Sequence, residues 1–307
     1  MKMKICVFGA GSLGSALGGM LSVNNDVTLV ARKKHVEAVR RNGLRLVGDV
    51  VGSVDVKVYD NAAHASTPDL LIISTKAYDT PSAIEACKGL VNDETLVLTL
   101  QNGLGNLELL RGWRGDNAFG GTTTIGAALV SPGVVRVAGL GRTAIGSDTN
   151  INGARAIVKA FQSCGIRVQP KKNVMGEIWG KAVVNACINP TAAVLRVRNG
   201  RLLESETVNH FMRDVCRECV AVAGASDIHL PNERMYSRVR AVCRDTADNT
   251  SSMLQDVQKA KRTEIQQING AFCSIGKARS VETPLNETLV AMVECLHDFS
   301  KAERLIS

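Results

Sequence analysis

The sequence predicts an α/β domain built on a parallel sheet, followed by an all-α domain, and three observations carry that expectation. Three glycines, Gly9-x-Gly11-x-x-Gly14, stand between a short apolar run and a helical one. Apolar runs of strand length then alternate with helical segments as far as about residue 170. Beyond that point long helical patterns take over, so the expected domains are 1–170 and 171–307.

Taken in order, residues 4–8 read as a strand, and a helix follows the glycines through about Leu21. Val27-Thr28-Leu29-Val30 is a second short strand, with a helix expected over 34–41 and a weaker strand-like stretch over 44–58. Leu70-Leu71-Ile72-Ile73 and Leu96-Val97-Leu98-Thr99-Leu100 are strongly apolar strands on either side of a helical segment near 79–90. Strands alternating with helices imply a parallel sheet covered on both faces. Residues 119–147, rich in Gly, Thr and Val, read as short strands and turns, and alanine-rich 153–163 as a helix. In the second half helices are expected over 175–195, 205–225, 232–246, 252–277 and 285–303. The opening Met-Lys-Met-Lys resembles a leader only superficially, because its apolar run is four residues long and breaks into glycines.

Composition narrows the class. A hydrophobic content of 45% suits a globular chain, and no apolar run approaches the roughly 18 residues of a membrane span. The nine cysteines are scattered and mostly lie in apolar segments, which reads as reduced thiols of a cytoplasmic protein. Cys216-Arg-Glu-Cys219 has the spacing of a metal or redox pair, but no second pair or histidine cluster accompanies it, so no metal is expected. The net charge of +8 is spread along the chain with only three Tyr and two Trp. It points to a polyanionic small molecule rather than nucleic acid. The apolar helices of the second half offer a face that a homodimer could bury.

The glycine segment, Gly9-Ala10-Gly11-Ser12-Leu13-Gly14, fits a dinucleotide loop because it follows a strand and opens a helix. Gly9 permits the tight turn, Gly11 lets a pyrophosphate approach the backbone, and Gly14 allows close helix–strand packing. Such a Rossmann-like unit often carries an acid at the end of its second strand to hold a ribose hydroxyl. This chain has Ala31-Arg32-Lys33-Lys34 there, and Arg32 suits the 2′-phosphate of NADP(H) instead. Ser74-Thr75-Lys76 and Gln101-Asn102-Gly103 end two further strands. Ligands gather at the carboxyl ends of such strands, so Lys76 and Asn102 are candidates to face cofactor or substrate.

The segment from Ile178 to Pro190 repeats a polar residue at every fourth position of an apolar helical run. Lys181, Asn185 and Asn189 therefore form one stripe that drifts about 40° per step. Burying such groups among apolar neighbours costs several kcal/mol unless other side chains or a polar ligand satisfy them.

These segments together resemble the ketopantoate reductases (2-dehydropantoate 2-reductases). The likeness rests on GAGSLG at 9–14, STK at 74–76, QNG at 101–103, GTTT at 121–124 and WGKAVVNACINP at 179–190. RNG at 198–200 and SSMLQDVQKAKRTEIQQINGA at 251–271 complete it, in family order over nearly the whole chain. The resemblance implies an N-terminal Rossmann domain, a helical C-terminal domain, an active site in the cleft between them, and reduction of ketopantoate by NADPH. It implies that Lys181 is the proton donor and that Asn185, Asn189, Asn199 and Ser252 bind substrate. Asn102 would lie near both substrate and cofactor, Lys76 near the cofactor, and Glu264 near the nicotinamide ribose and substrate.

Elementary chemistry agrees with those roles. A ketone accepting hydride develops negative charge on oxygen, which an ammonium group stabilises before donating a proton. Apolar surroundings would make Lys181 more acidic. Asparagines supply donors and acceptors without net charge. Ser252-Met-Leu-Gln255 also reads as a capping box, which places Ser252 at a helix start. Two other readings remain beside this one: a reductase of a different 2-oxo acid on the same plan, and a non-catalytic NADPH-binding sensor. A sensor would need the glycine loop and Arg32 but no proton donor.

Overall fold

A computed structural model describes the backbone of residues 2–306 and the side chains of residues 2–299. The chain divides into two compact units, Met1–Gln101 with Asn106–Glu177, and Asn102–Gly105 with Ile178–Ser307.

The first unit is Rossmann-like. In order it contains β1 (Lys4–Phe8), α1 (Ser12–Leu21), β2 (Asp26–Val30), α2 (Lys33–Asn42), β3 (Leu44–Gly48), β4 (Gly52–Val54), β5 (Lys57–Tyr59) and β6 (Leu70–Ile73). There follow α3 (Thr80–Cys87), β7 (Leu96–Thr99), α4 (Asn106–Arg114), β8 (Ala118–Thr123), β9 (Ala127–Ser131), β10 (Val134–Val137), β11 (Thr143–Gly146), α5 (Ile151–Gln162) and β12 (Val168–Lys171). The main sheet runs β12-β11-β8-β7-β6-β1-β2-β5. Its pairs are parallel except β8 with β11. Strands β1, β6 and β7 are continuous apolar runs because both faces of the sheet are covered: Leu70, Leu71, Ile72 and Ile73 are all fully buried. The chain order reverses on either side of β1, so the glycine segment emerges at a topological switch point.

A second, four-stranded sheet of order β4-β3-β10-β9 was not expected from the sequence. Residues 44–58 do not form one strand of the main sheet. Of their three short strands, β3 pairs in parallel with β10 and antiparallel with β4, while only β5 joins β2. Leu44, Leu46, Val135 and Val137 of this sheet share one buried cluster with Leu17 and Leu21 of α1. Helix α1 thus packs against both sheets, and its Gly18 and Gly19 admit the side chains of Leu29 and Leu46. The sequence reading also missed α4 and β12. The latter carries Pro170 and lies at the sheet edge, where a missing donor is tolerated.

The second unit is helical: α6 (Val174–Leu195, whose first turn belongs to the first unit), α7 (Glu206–Ala225), α8 (Asn232–Asp245), α9 (Ser252–Gln258), α10 (Ile265–Ala278) and α11 (Pro284–Ile306). The single helix expected over 252–277 is two. Helix α9 ends in a Schellman motif, with Ala260 at φ 47°. Ala260 N–H donates to the Val257 carbonyl at 2.9 Å and Lys261 N–H to that of Asp256 at 2.8 Å. No helix of the described residues is long and apolar enough to cross a membrane.

Candidate active site

The glycine segment has the shape of a cradle with one open wall. Gly9 sits at φ 89°, and a Cβ there would come within 2.5 Å of Thr75 Cγ2. A Cβ on Gly14 would strike Ser74 Oγ and lie 2.7 Å from the Gly9 carbonyl. At Gly11 it would meet only the Gly9 carbonyl, 3.9 Å away, so that side of the loop faces open space. Gly11 is the N-cap residue of α1. The loop is fixed from behind, with the Gly9 and Ala10 N–H groups both donating to the Val30 carbonyl, at 3.0 and 2.9 Å. Ser12 Oγ accepts from the Leu129 N–H at 3.0 Å, and Leu13 is half-buried. These residues fit a pyrophosphate above Gly11.

One residue behind the loop escaped the sequence reading. His35 is buried, its Nδ1 accepts from the Gly133 N–H at 3.1 Å, and its Nε2 lies 3.1 Å from Ser15 Oγ. That pair of contacts fixes the tautomer with hydrogen on Nε2, which donates to Ser15. Ser15 Oγ donates in turn to the Ala10 carbonyl at 3.0 Å. Burial lowers the His35 pKa, which keeps Nδ1 free to accept. A lone histidine in a basic run, Lys33-Lys34-His35, gives no sequence signal for this.

Arg32 caps α2 immediately beyond β2 and is exposed, as are Lys33 and Lys34. The first turn of α2 has no acidic residue, so three cations crowd the positive end of a helix dipole. That is locally unfavourable and suits an incoming anion. Lys76 follows β6, half-buried, at the start of a 3₁₀ turn. Gln101 locks that turn: its Nε2 donates to the Thr75 carbonyl at 2.9 Å and lies 2.9 Å from Thr80 Oγ1.

In the second unit, α6 carries the polar stripe. Ala182, Val183, Val184, Ala186, Cys187 and Ile188 are buried, while Lys181 and Asn185 are half-buried and Asn189 is 8% exposed. Among the described residues, no side chain or backbone group hydrogen-bonds the amides of Asn185 and Asn189. Burial pushes the Lys181 pKa down to about 8; the Glu264 carboxylate opposes that shift and the Arg238 guanidinium adds to it. Glu264, 6% exposed, occupies the N-cap position of α10. Asn102 Nδ2 donates to Glu264 Oε2 at 3.5 Å. Gly103 makes this approach feasible: it has φ 84°, and any Cβ there would strike the Gln267 carbonyl, which accepts from the Leu104 N–H at 3.0 Å.

Two expected substrate residues are placed differently from these. Asn199 is buried, with Nδ2 donating to Thr246 Oγ1 at 2.9 Å, while its Oδ1 has no partner among the described residues. Ser252 is exposed and is the first residue of α9, not its cap. The cap is Ser251, whose Oγ accepts from the Leu254 N–H at 3.2 Å and donates to the Asn189 carbonyl at 3.4 Å. The expected capping box therefore does not form: the cap lies one residue earlier, with Leu254 at the third helical position, and the Ser252 hydroxyl has no part in it.

Asn269 was also missed, and its signal was Pro190. A proline inside a helix lacks the N–H that would bond the carbonyl four residues earlier, here Ala186. Asn269 Nδ2 supplies that donor at 3.0 Å and also meets Asn286 Oδ1 at 2.9 Å, all fully buried. The cysteines of the CxxC pair, Cys216 and Cys219, lie buried on α7, and burial raises the Cys219 thiol pKa.

Residues 5–150 match the family described as ketopantoate reductase PanE/ApbA, and residues 173–297 match its C-terminal part. The 2-dehydropantoate 2-reductase of Pyrococcus horikoshii is 37% identical over 295 residues, covering 95% of this chain and 97% of its own. Among solved structures, the PanE/ApbA family ketopantoate reductase of Ralstonia eutropha JMP134 has a TM-score of 0.90 at 32% identity, over 97% of this chain and 100% of its own. D-mandelate dehydrogenase in a ternary structure with NADH and anilino(oxo)acetate has a TM-score of 0.92 at 26% identity, with coverage of 97% and 100%.

Proposed function

The chain belongs to the ketopantoate reductase family, and we propose that it reduces 2-dehydropantoate to pantoate with NADPH in the cytoplasm. The observation that carries this reading is the α6 stripe. It sets the Lys181 ammonium group beside two amides, Asn185 and Asn189, that no group among the described residues hydrogen-bonds, on a helix whose neighbouring side chains are buried and apolar. Protein pays heavily for such groups unless a polar ligand uses them.

NADPH, when bound, supplies the hydride. The loop from Gly9 to Gly14 would hold its pyrophosphate, Arg32 would take the 2′-phosphate with Lys33 or Lys34 assisting, and Lys76 would lie near the cofactor. The remaining chemistry belongs to the second unit. Lys181 Nζ stabilises negative charge as it develops on the substrate carbonyl oxygen and then donates its proton there. Its lowered pKa brings it near working pH, where a general acid is most effective. Glu264 keeps the ammonium form available. Asn185, Asn189 and Asn102 orient the hydroxyl, carbonyl and carboxylate through neutral amides, and Ser252 and Asn199 complete the substrate contacts.

NADPH oxidation in the presence of 2-dehydropantoate, beside a panel of other 2-oxo acids, tests the reading. Clear preference for 2-dehydropantoate is expected. Turnover confined to an aromatic 2-oxo acid would assign the chain to a reaction like that of D-mandelate dehydrogenase.

A further inference from the structure

Arg238 is a second cation close to the helix that carries Lys181. It lies on α8 and is exposed. Its guanidinium rests over α6 at Gly180, the residue before Lys181: a Cβ built on Gly180 would lie 2.9 Å from Arg238 Nη1 and 4.0 Å from Met235 Sδ. Any larger residue at 180 would push the guanidinium aside. Arg238 is near enough to Lys181 to act on its charge, yet no carboxylate among the described residues forms an ion pair with Arg238. Glu264 is the one carboxylate whose field reaches Lys181 appreciably, and it is shared with Asn102. Two cations and a single carboxylate acting on Lys181 leave an excess of positive charge near the polar stripe. An anionic ligand relieves that repulsion, and a guanidinium pairs with a carboxylate through two parallel N–H···O bonds.

We propose that Arg238, admitted by Gly180, is a specificity-determining residue that recognises the carboxylate of the 2-oxo acid. The proposal rests on the reading that this chain is a 2-oxo acid reductase. It adds that selection for an anionic over a neutral 2-oxo compound comes from α8 as well as from the stripe on α6.

The test compares the wild-type protein with Arg238→Met, which keeps the stem but not the charge, Arg238→Lys, and Gly180→Ala, which displaces the guanidinium without removing it. In turnover, Arg238→Met should raise KM for 2-dehydropantoate roughly 10- to 100-fold, the range of one charged hydrogen bond. KM for NADPH and the melting temperature should stay as they were. The alkaline limb of kcat/KM should move to higher pH, because a guanidinium beside Lys181 disfavours its ammonium form. Gly180→Ala should shift KM the same way, and Arg238→Lys should fall between. Unchanged KM with an unmoved pH limb would overturn the proposal, leaving Arg238 as a cover over Gly180.

A binding measurement separates this failure from failure of the parent reading, since it needs no turnover. Calorimetry on the NADP-loaded protein with oxamate and its neutral analogue oxamide should show preference for the anion, lost in Arg238→Met. Absence of oxamate binding to the wild-type protein, or a preference that survives in Arg238→Met, would contradict it. A wild-type protein that prefers oxamate but reduces no 2-oxo acid would sustain the anion site and sink the reductase reading.

Discussion

Asn102 and Glu264, 162 residues apart in the chain, meet where the Asn102 amide donates to the Glu264 carboxylate at 3.5 Å. The contact depends on Gly103, which lets the backbone of the Gln101-Asn102-Gly103 turn lie against the Gln267 carbonyl. The same Glu264 carboxylate opposes the fall of the Lys181 pKa, so one buried acid acts on Lys181 while an amide hydrogen-bonds that acid.

From that arrangement follows the pH dependence of the reaction. As the proposed proton donor Lys181 must carry its proton, and burial pushes its pKa down to about 8. The kcat/KM for ketone reduction should be level at lower pH and fall as pH rises through that value. Glu264 favours the ammonium form, so Glu264→Gln should move the alkaline limb to lower pH, as a pH–rate series would show. A limb that stays put, or moves upward, would remove Glu264 from this role.

The glycine loop separates folding from binding at two neighbouring positions. Gly9→Ala forces a side chain onto φ 89° and into Thr75, and should cost about 1–3 kcal/mol of stability in urea unfolding. Gly11→Ala meets no protein atom closer than 3.9 Å, so its melting temperature should match that of the wild-type protein. Its dinucleotide affinity should fall about tenfold or more, because the methyl occupies the pyrophosphate's approach. Unaltered affinity in a well-folded Gly11→Ala protein would place the cofactor elsewhere.

The proposed choice of NADPH over NADH rests on Arg32. Changing Arg32 to Ala should weaken NADPH binding roughly 10- to 100-fold and leave NADH binding nearly unchanged, since only the former carries the 2′-phosphate. Fluorescence titration with both dinucleotides reads the difference. Equal losses would mean that the cations at the start of α2 act only through their general field.

Helix α6 makes a structural prediction of its own. Asn269→Ala removes the donor that replaces the missing Pro190 N–H, and should destabilise the protein by about 2–3 kcal/mol. Pro190→Ala restores a backbone donor to the Ala186 carbonyl. In a double-mutant cycle measured by denaturation, the cost of Asn269→Ala should therefore shrink in the Pro190→Ala background. Simple additivity would show that the two residues do not share that carbonyl.

Much of this was legible because the signals were local. The loop from Gly9 to Gly14 sits between strand and helix, and Lys181, Asn185 and Asn189 repeat at helical spacing within one element. What escaped depends on distant partners or on conformations without a residue signature. The second sheet joins β3 to β10, 89 residues apart between Arg45 and Val134 in register, through short strands that look alike in isolation. The break between α9 and α10 falls at Ala260, a left-handed cap without the usual glycine, so the pattern over 252–277 read as continuous. The α9 cap is Ser251 rather than Ser252 because Ser251 also bonds the Asn189 carbonyl, a contact that adjacent serines in sequence cannot distinguish. Asn269 needed Pro190, inside the helix expected over 175–195, to be read as an unmet hydrogen bond.

Substitution of Lys181 by Met tests the central claim most directly, with turnover of 2-dehydropantoate and affinity for NADPH measured on the same preparation. A proton donor predicts a fall in kcat of about 10²- to 10⁴-fold with NADPH affinity essentially retained. Undiminished turnover would contradict the assignment of Lys181, and with it the chemistry proposed for the α6 stripe.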